Sequence, residues 1–317
     1  MKTPEQPIVI LGGSGFLGTG LNFHLSQDPD LNVISASRGG TATLSRGYSR
    51  ESIGRFLDET NPAAVINCVG VVGHEKVESN PTTSHHINVE LPELLSALTR
   101  EREIRFVHFS SDSVYSGIPE QAPFTESSTP SPFSRYGVQK LESEYRVLGA
   151  NPEAVVLRIN FFGWSLSGAV GLLDHFVSHA LRGSQPIGYP SYFASSVYVG
   201  ELSKVVLASA RGRVSGIFNV GSPDSHSKWA FGREVFTQLG LDPAKVIPSD
   251  PSIWAFEGTK ARDLSMSSRL IESTLGIELL PQLQGIRAAF EDCLAFLDFG
   301  LASSGDPRLK LFERPEN

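Results

Sequence analysis

Tyr136 and Lys140 stand four residues apart in the run Ser134-Arg135-Tyr136-Gly137-Val138-Gln139-Lys140. On a helix, that spacing puts both side chains on one face. An ammonium beside a phenol favours the phenolate and draws its pKa of about 10 toward neutrality. Such a tyrosine can give a proton to a carbonyl oxygen or take one from an alcohol. Upstream, the run Phe109-Ser110-Ser111-Asp112 offers the hydroxyl of Ser111 to the same oxygen. Near the N-terminus lies Gly12-Gly13-Ser14-Gly15-Phe16-Leu17-Gly18. Its Gly12, Gly15 and Gly18 have the spacing of a loop that lets backbone approach a pyrophosphate and packs a helix tightly on a strand. The N–H groups opening that helix would then meet the phosphates. Either motif alone is weak, since Tyr-x-x-x-Lys recurs on amphipathic helices and glycines recur in plain turns. Together they describe proton transfer beside a hydride-carrying dinucleotide.

The end of the second strand bears on which dinucleotide. A carboxylate there would bind the ribose 2′-OH of NAD. The chain instead reads Ser35-Ala36-Ser37-Arg38. Arg38, with the hydroxyl of Ser37 beside it, suits a 2′-phosphate, so NADP (as NADPH) is favoured over NAD.

These residues need a frame to position them. Apolar runs over 7–11, 31–35, 63–67, 104–109 and 154–158 read as strands, and helix-like patterns over 16–26, 51–59, 89–100 and 136–148 separate them. That alternation predicts an α/β fold, a doubly wound parallel sheet of the Rossmann type. Ser110 and Ser111 follow the fourth strand, and Tyr136 opens the helix before the fifth, so both fall at the carboxyl ends where ligands bind. After residue 160 aromatics, Gly and Ser increase, with helix-like segments over 172–181, 201–210, 230–239 and 283–297. The expected division is a dinucleotide-binding domain over 1–160 and a smaller, interleaved α+β substrate domain over 161–317. A segment near 195–222, with the strand-like 217–220, would return to the main sheet.

Composition narrows the class. The chain has 317 residues, 40% of them hydrophobic, and a net charge of −7. An acidic balance argues against non-specific binding to nucleic acid or anionic membranes. No apolar run approaches the roughly 20 residues of a membrane span. Two cysteines, Cys68 and Cys293, form no disulfide framework, and the start shows no signal-like apolar stretch. A reducing cytoplasm is the expectation. His74, His85 and His86 lack a completing carboxylate or cysteine at metal-ligand spacing, so no metal is expected.

The motifs resemble the extended short-chain dehydrogenase/reductase family, over nearly the whole chain. Within it, the pattern is similar to dTDP-4-dehydrorhamnose reductases and related nucleotide-sugar 4-ketoreductases. It rests on Ser110-Ser111-Asp112-Ser113-Val114-Tyr115-Ser116-Gly117, Phe124-Thr125-Glu126, Pro130, Tyr136-Gly137-Val138-Gln139-Lys140, Val77-Glu78-Ser79-Asn80-Pro81 and Ile87-Asn88-Val89. The resemblance implies catalytic roles for Ser111, Tyr136 and Lys140. It implies cofactor contacts from Gly12, Gly15, Phe16, Leu17, Gly18, Ser37, Arg38, Asn67, Val69, Asn88 and Ser110, besides Tyr136 and Lys140. Asn88 would order the catalytic network. Asp112, Ser113, Asn160, Trp164 and Tyr192 would face the sugar, and Lys260 and Arg262 would face its diphosphate. A homodimer is a further implication.

Departures from the family pattern sharpen the reading. Related 4,6-dehydratases carry Thr-Asp-Glu from the Ser111 position; Ser113 stands here in place of the acid, which disfavours water elimination. The Asp that often contacts adenine in the family is not found near Arg46, and the stretch 158–165 is unusually aromatic. The leading expectation is NADPH-dependent reduction of a 4-keto nucleotide sugar. The alternatives are a nucleotide-sugar epimerase with bound NAD and a non-catalytic NADP-binding partner of another enzyme, like the regulatory subunit of methionine adenosyltransferase.

Overall fold

Every residue of Ile8–Leu11, strand β1, is buried, because the strand lies mid-sheet with a parallel neighbour on each side. The computed structural model describes residues 6–37, 42–43, 48–250, 262–300 and 306–312. Five more strands follow in the sheet: β2 (Val33–Ser37), β3 (Ala42–Thr43), β4 (Ala64–Asn67), β5 (Arg105–Ser111) and β6 (Val155–Ile159). The strand Gly216–Val220 completes it on the far edge, giving seven strands in the order Gly216–Val220, β6, β5, β4, β1, β2, β3. All six pairings are parallel.

Successive side chains of β1 point to opposite faces. Ile8 and Ile10 join the core that holds Leu21 and Leu25 of helix α1 (Phe16–Leu25). Val9 and Leu11 join the core that holds Ile53 and Leu57 of helix α2 (Arg50–Thr60). The helices Leu91–Arg100 and Arg135–Ala150 share that second face, while Val199–Arg211 packs with α1 on the first. Strand order runs one way from β1 through β2 and the other way through β4, so a crevice opens at the carboxyl ends of β1 and β4.

Beyond residue 160 the helices Leu172–Leu181, Lys228–Gln238 and Gln282–Phe299 carry Phe176, Phe231, Phe236 and Phe296 into the same core as α1. A three-stranded sheet built on Tyr192–Ala194 lies among them. One local expectation shifts. The helix expected to start at 230 starts at Lys228, because Ser227 caps it by accepting from Ala230 N–H at 3.2 Å. The stretch 89–100 lies within a longer helical run, in which the α-helical turn Pro81–His85 passes through a π turn, His86–Glu90, into the α-helix from Leu91.

Near the end of the described residues, Pro307–Phe312 forms a 3₁₀ turn, with Arg308 buried. Arg308 donates to the carbonyls of Ser165 at 2.6 Å and Leu166 at 3.2 Å and pairs with Asp306 at 2.8 Å. No described helix is long and apolar enough to cross a membrane. His85 and His86 pair with Glu142 and Glu90 at 3.3 and 2.7 Å.

Candidate active site

Ser111 ends β5 and caps the 3₁₀ turn Asp112–Val114, its Oγ accepting from Ser113 N–H at 3.2 Å. Ser134 likewise caps the helix Arg135–Ala150, accepting from Gly137 N–H at 3.1 Å. The two caps meet because residue 137 has no side chain: a Cβ there would lie 2.1 Å from Ser113 O. That close approach brings Tyr136 near Ser111. Lys140, one turn on, is buried and donates to Phe109 O at 2.9 Å. Its Nζ lies 6.0 Å from the Tyr136 ring centroid.

The electrostatics correct one expectation. The Tyr136 phenol is pushed up from its ordinary value, not down, by burial first and then by the charge of Asp112, with the neighbouring Ser111 hydroxyl opposing the shift. Burial also lowers Lys140 to about 8, although the Glu144 carboxylate opposes that shift. At neutral pH the phenol therefore holds its proton. Asp112, raised by burial, accepts from Ser111 Oγ at 2.9 Å and from Asn160 Nδ2 at 2.5 Å. Ser113 Oγ lies 3.2 Å from Ser111 Oγ, and Ser196 fixes Asn160 by donating to its Oδ1 at 2.7 Å.

On the glycine side, Gly12 has φ +83°, and a Cβ there would come within 2.9 Å of the Cys68 and Val69 backbone. A Cβ on Gly18 would strike Gly12 O at 2.3 Å, so α1 packs directly on the loop. Asn67 shapes the facing turn, accepting from Val69 N–H at 3.1 Å. Asn88 clamps the next stretch: it accepts from Val71 N–H at 2.8 Å and donates to Val71 O at 3.0 Å and Gln139 Oε1 at 2.8 Å. Helix α1 has no side-chain cap and no acidic residue in its first turn. Its first N–H groups suit an anion, and a Cβ on Gly15 would meet only Gly12 O, at 3.2 Å. These residues fit a dinucleotide. Phe16 turns its ring onto Phe161 at 4.9 Å, Leu17 packs partly into the core, and Ser37 ends β2. Arg38 lies outside the described residues.

Two expected site residues face elsewhere. Ser110 Oγ donates to Glu144 Oε1 at 2.5 Å, inside a buried network where Arg158 binds the same carboxylate at 2.8 and 2.6 Å. Its hydroxyl is therefore a structural partner and does not face the cofactor loop. Trp164 is 2% exposed and donates to Ala289 O at 2.5 Å, so it is core and not pocket wall. Tyr192 and Asn160 do line a cavity of about 320 Å³, together with His175, Ser196, Lys228 and Gln282. Arg262 is buried beside it, its guanidinium 3.5 Å from the Phe133 ring centroid, and Lys260 lies outside the described residues. Sequence reasoning missed Lys228 and Gln282; the Ser227 cap was the one local signal for the first.

A parallel sheet with a glycine loop after β1 and a Ser-Tyr-Lys group beyond β5 defines the class of extended short-chain dehydrogenase/reductases. The chain belongs to the family described as the RmlD substrate binding domain, whose model matches residues 6–295. It is 28% identical over 248 residues to a probable low-salt glycan biosynthesis reductase of Haloferax volcanii, covering 76% of this chain and 82% of that protein. It is 28% identical over 278 residues to the dTDP-4-dehydrorhamnose reductase of Mycobacterium tuberculosis, covering 85% of this chain and 87% of that protein. The fold is similar to a crystal structure of dTDP-4-dehydrorhamnose reductase from Bacillus anthracis in complex with NADP. That match has TM-score 0.80 and 15% identity over 91% of this chain and 99% of that one.

Proposed function

We propose that the chain reduces the 4-keto group of a nucleotide deoxysugar with NADPH, Tyr136 giving the proton. The observation that carries this reading is Ser111, at the end of β5, next to a phenol held in its protonated form, with the buried Lys140 one helical turn on. When bound, the dinucleotide supplies hydride. Ser111 and Tyr136 then hold the ketone oxygen between two hydroxyls, and the Tyr136 proton passes to that oxygen as charge develops. Lys140 holds the ribose and keeps a positive charge behind the phenol.

Gly12, Gly15, Gly18 and the opening of α1 would cradle the pyrophosphate, with Phe16 and Leu17 in its first turn. Asn67, Val69 and Asn88 would flank the nicotinamide half, and Ser37 and Arg38 would take the 2′-phosphate. Asp112, Ser113, Asn160 and Tyr192 would meet the sugar, with Arg262 and Lys260 on the diphosphate side. In this reading residues 1–160 hold the cofactor, and 161–317 mainly hold the substrate. The dTDP-4-keto sugar reductases named among the relatives support the same substrate class. Ser113, where elimination would need an acid, supports reduction over dehydration.

The test is oxidation of NADPH by the purified protein against a panel of 4-keto-6-deoxy nucleotide sugars, with NADH in parallel. Turnover with NADPH and one of the sugars is the expected result. NADPH binding with no turnover on any member would refute the reading.

A further inference from the structure

Lys228 occupies an unusual place for a cation. It is the first residue of the helix Lys228–Gln238, where the helix dipole disfavours positive charge. Its ammonium rests over the Tyr192 ring, 3.8 Å from the centroid. It has no ion-pair or hydrogen-bond partner among the described residues; the nearest influential carboxylate, Asp112, acts on it only through space. Burial accordingly disfavours its charged form. A desolvated cation held this way gains most from an anion delivered into the same space.

The space is the cavity of about 320 Å³ that Lys228 shares with Asn160, Tyr192 and Gln282. Its size suits a small ligand. Asn160 joins it to the catalytic group, since the same amide donates to Asp112, which accepts from Ser111. Gln282, also in the lining and 2% exposed, has its Oε1 buried without a hydrogen-bond partner among the described residues. One cation with no anionic partner and one acceptor with no hydrogen-bond partner among the described residues, beside the catalytic group, match an anion carrying hydroxyls. His175 adds a second nitrogen base to the lining.

We infer that Lys228 binds the sugar-proximal phosphate of the nucleoside diphosphate sugar and so sets how deeply the ring enters toward Ser111 and Tyr136, with Gln282 accepting a ring hydroxyl. This rests on the reductase reading and assigns the phosphate to a residue other than Lys260 and Arg262. Lys228 is a binding and positioning residue; it transfers no proton.

The experiment uses the full chain and the variants Lys228→Met, Lys228→Gln and Lys228→Arg. Binding of dTDP, UDP and the bare nucleosides is measured by calorimetry with NADPH bound, alongside NADPH affinity and the KM and kcat for the nucleotide sugar. Expected for Met and Gln is a loss of at least tenfold in diphosphate affinity and a matching rise in KM. Nucleoside binding and NADPH affinity should be unchanged, with most diphosphate affinity restored by Arg. If wild type and the Met and Gln variants bind diphosphate equally, Lys228 is wrongly assigned while the reductase reading stands. If both lose NADPH affinity too, the role is structural and the inference falls. If the wild-type protein binds no diphosphate and reduces no nucleotide sugar, both readings fall.

Discussion

Asn88→Ala removes three hydrogen bonds at once, two that hold Val71 and one that holds Gln139. Each contributes about 1 kcal/mol net. Val71 is half-buried, so water can recover part of its backbone bonding, whereas Gln139 is buried and fixed from its other end by Ser84. The expected loss is about 3 kcal/mol. An unfolding entropy of about 2.1 cal/mol/K per residue gives about 0.7 kcal/mol/K for a chain of 317 residues, hence a fall in Tm of about 4–5 °C. Activity should suffer separately. A Cβ on Gly70 would lie 3.6 Å from Asn88 Oδ1 and 3.9 Å from Lys140 Nζ, so the clamped stretch borders the lysine. The variant should lose at least tenfold in kcat, read by NADPH oxidation at a temperature well below its Tm. A drop in Tm with kcat unchanged would refute the ordering role and leave Asn88 a scaffold residue. No change in either would refute the clamp itself.

Tyr136→Phe should cost about 10²–10⁴ in kcat while NADPH affinity, measured by fluorescence titration, survives. Retained turnover would mean another proton donor. Arg38→Ala should weaken NADPH far more than NADH; equal weakening would remove the argument for a 2′-phosphate. Glu144→Gln leaves the Arg158 guanidinium buried without its carboxylate, so urea denaturation should show a loss of about 3–5 kcal/mol. A loss under about 1 kcal/mol would show that Tyr115, which accepts from Arg158 at 2.7 Å, is partner enough.

The parts of the site legible in the sequence are those whose signal is local. The glycine loop sits between an apolar run and a helical period, and the Tyr-Lys spacing is itself a helical period, so both could be placed before any fold was known. Ser110 and Trp164 went astray for the opposite reason: a side chain's direction depends on partners far along the chain. Ser110 turns to Glu144, 34 residues on, and Trp164 to Ala289, 125 residues on. The π turn at His86–Glu90 adds one residue to a helix and leaves no mark on hydrophobic period, yet it carries Asn88. Lys228 is one lysine among many until the fold sets it over Tyr192 and near Asp112.

Burial moves Asp112, Tyr136 and Lys140 toward their neutral forms, and this sets activity and stability against each other in pH. With a folded pKa of about 8, Lys140 is mostly cationic at pH 7 and loses its charge above that. If its cation supports the ribose and the phenol, kcat/KM for reduction should fall on the alkaline side with an apparent pKa near 8. Stability should move the other way. The unfolded lysine titrates near 10.4, so between the two values the unfolded chain binds more protons, and raising pH favours the folded state. At pH 7 the charged form costs on the order of 3 kcal/mol, and about 2 kcal/mol of that is relieved by pH 9.5. Lys140→Met should therefore be more stable than wild type at pH 7, with the gap closing as pH rises, and be inactive throughout. Chemical denaturation at the two pH values, set beside the pH–rate profile, checks both slopes. A gap that stays constant, or a rate flat to pH 10, would show that Lys140 is not the group that titrates.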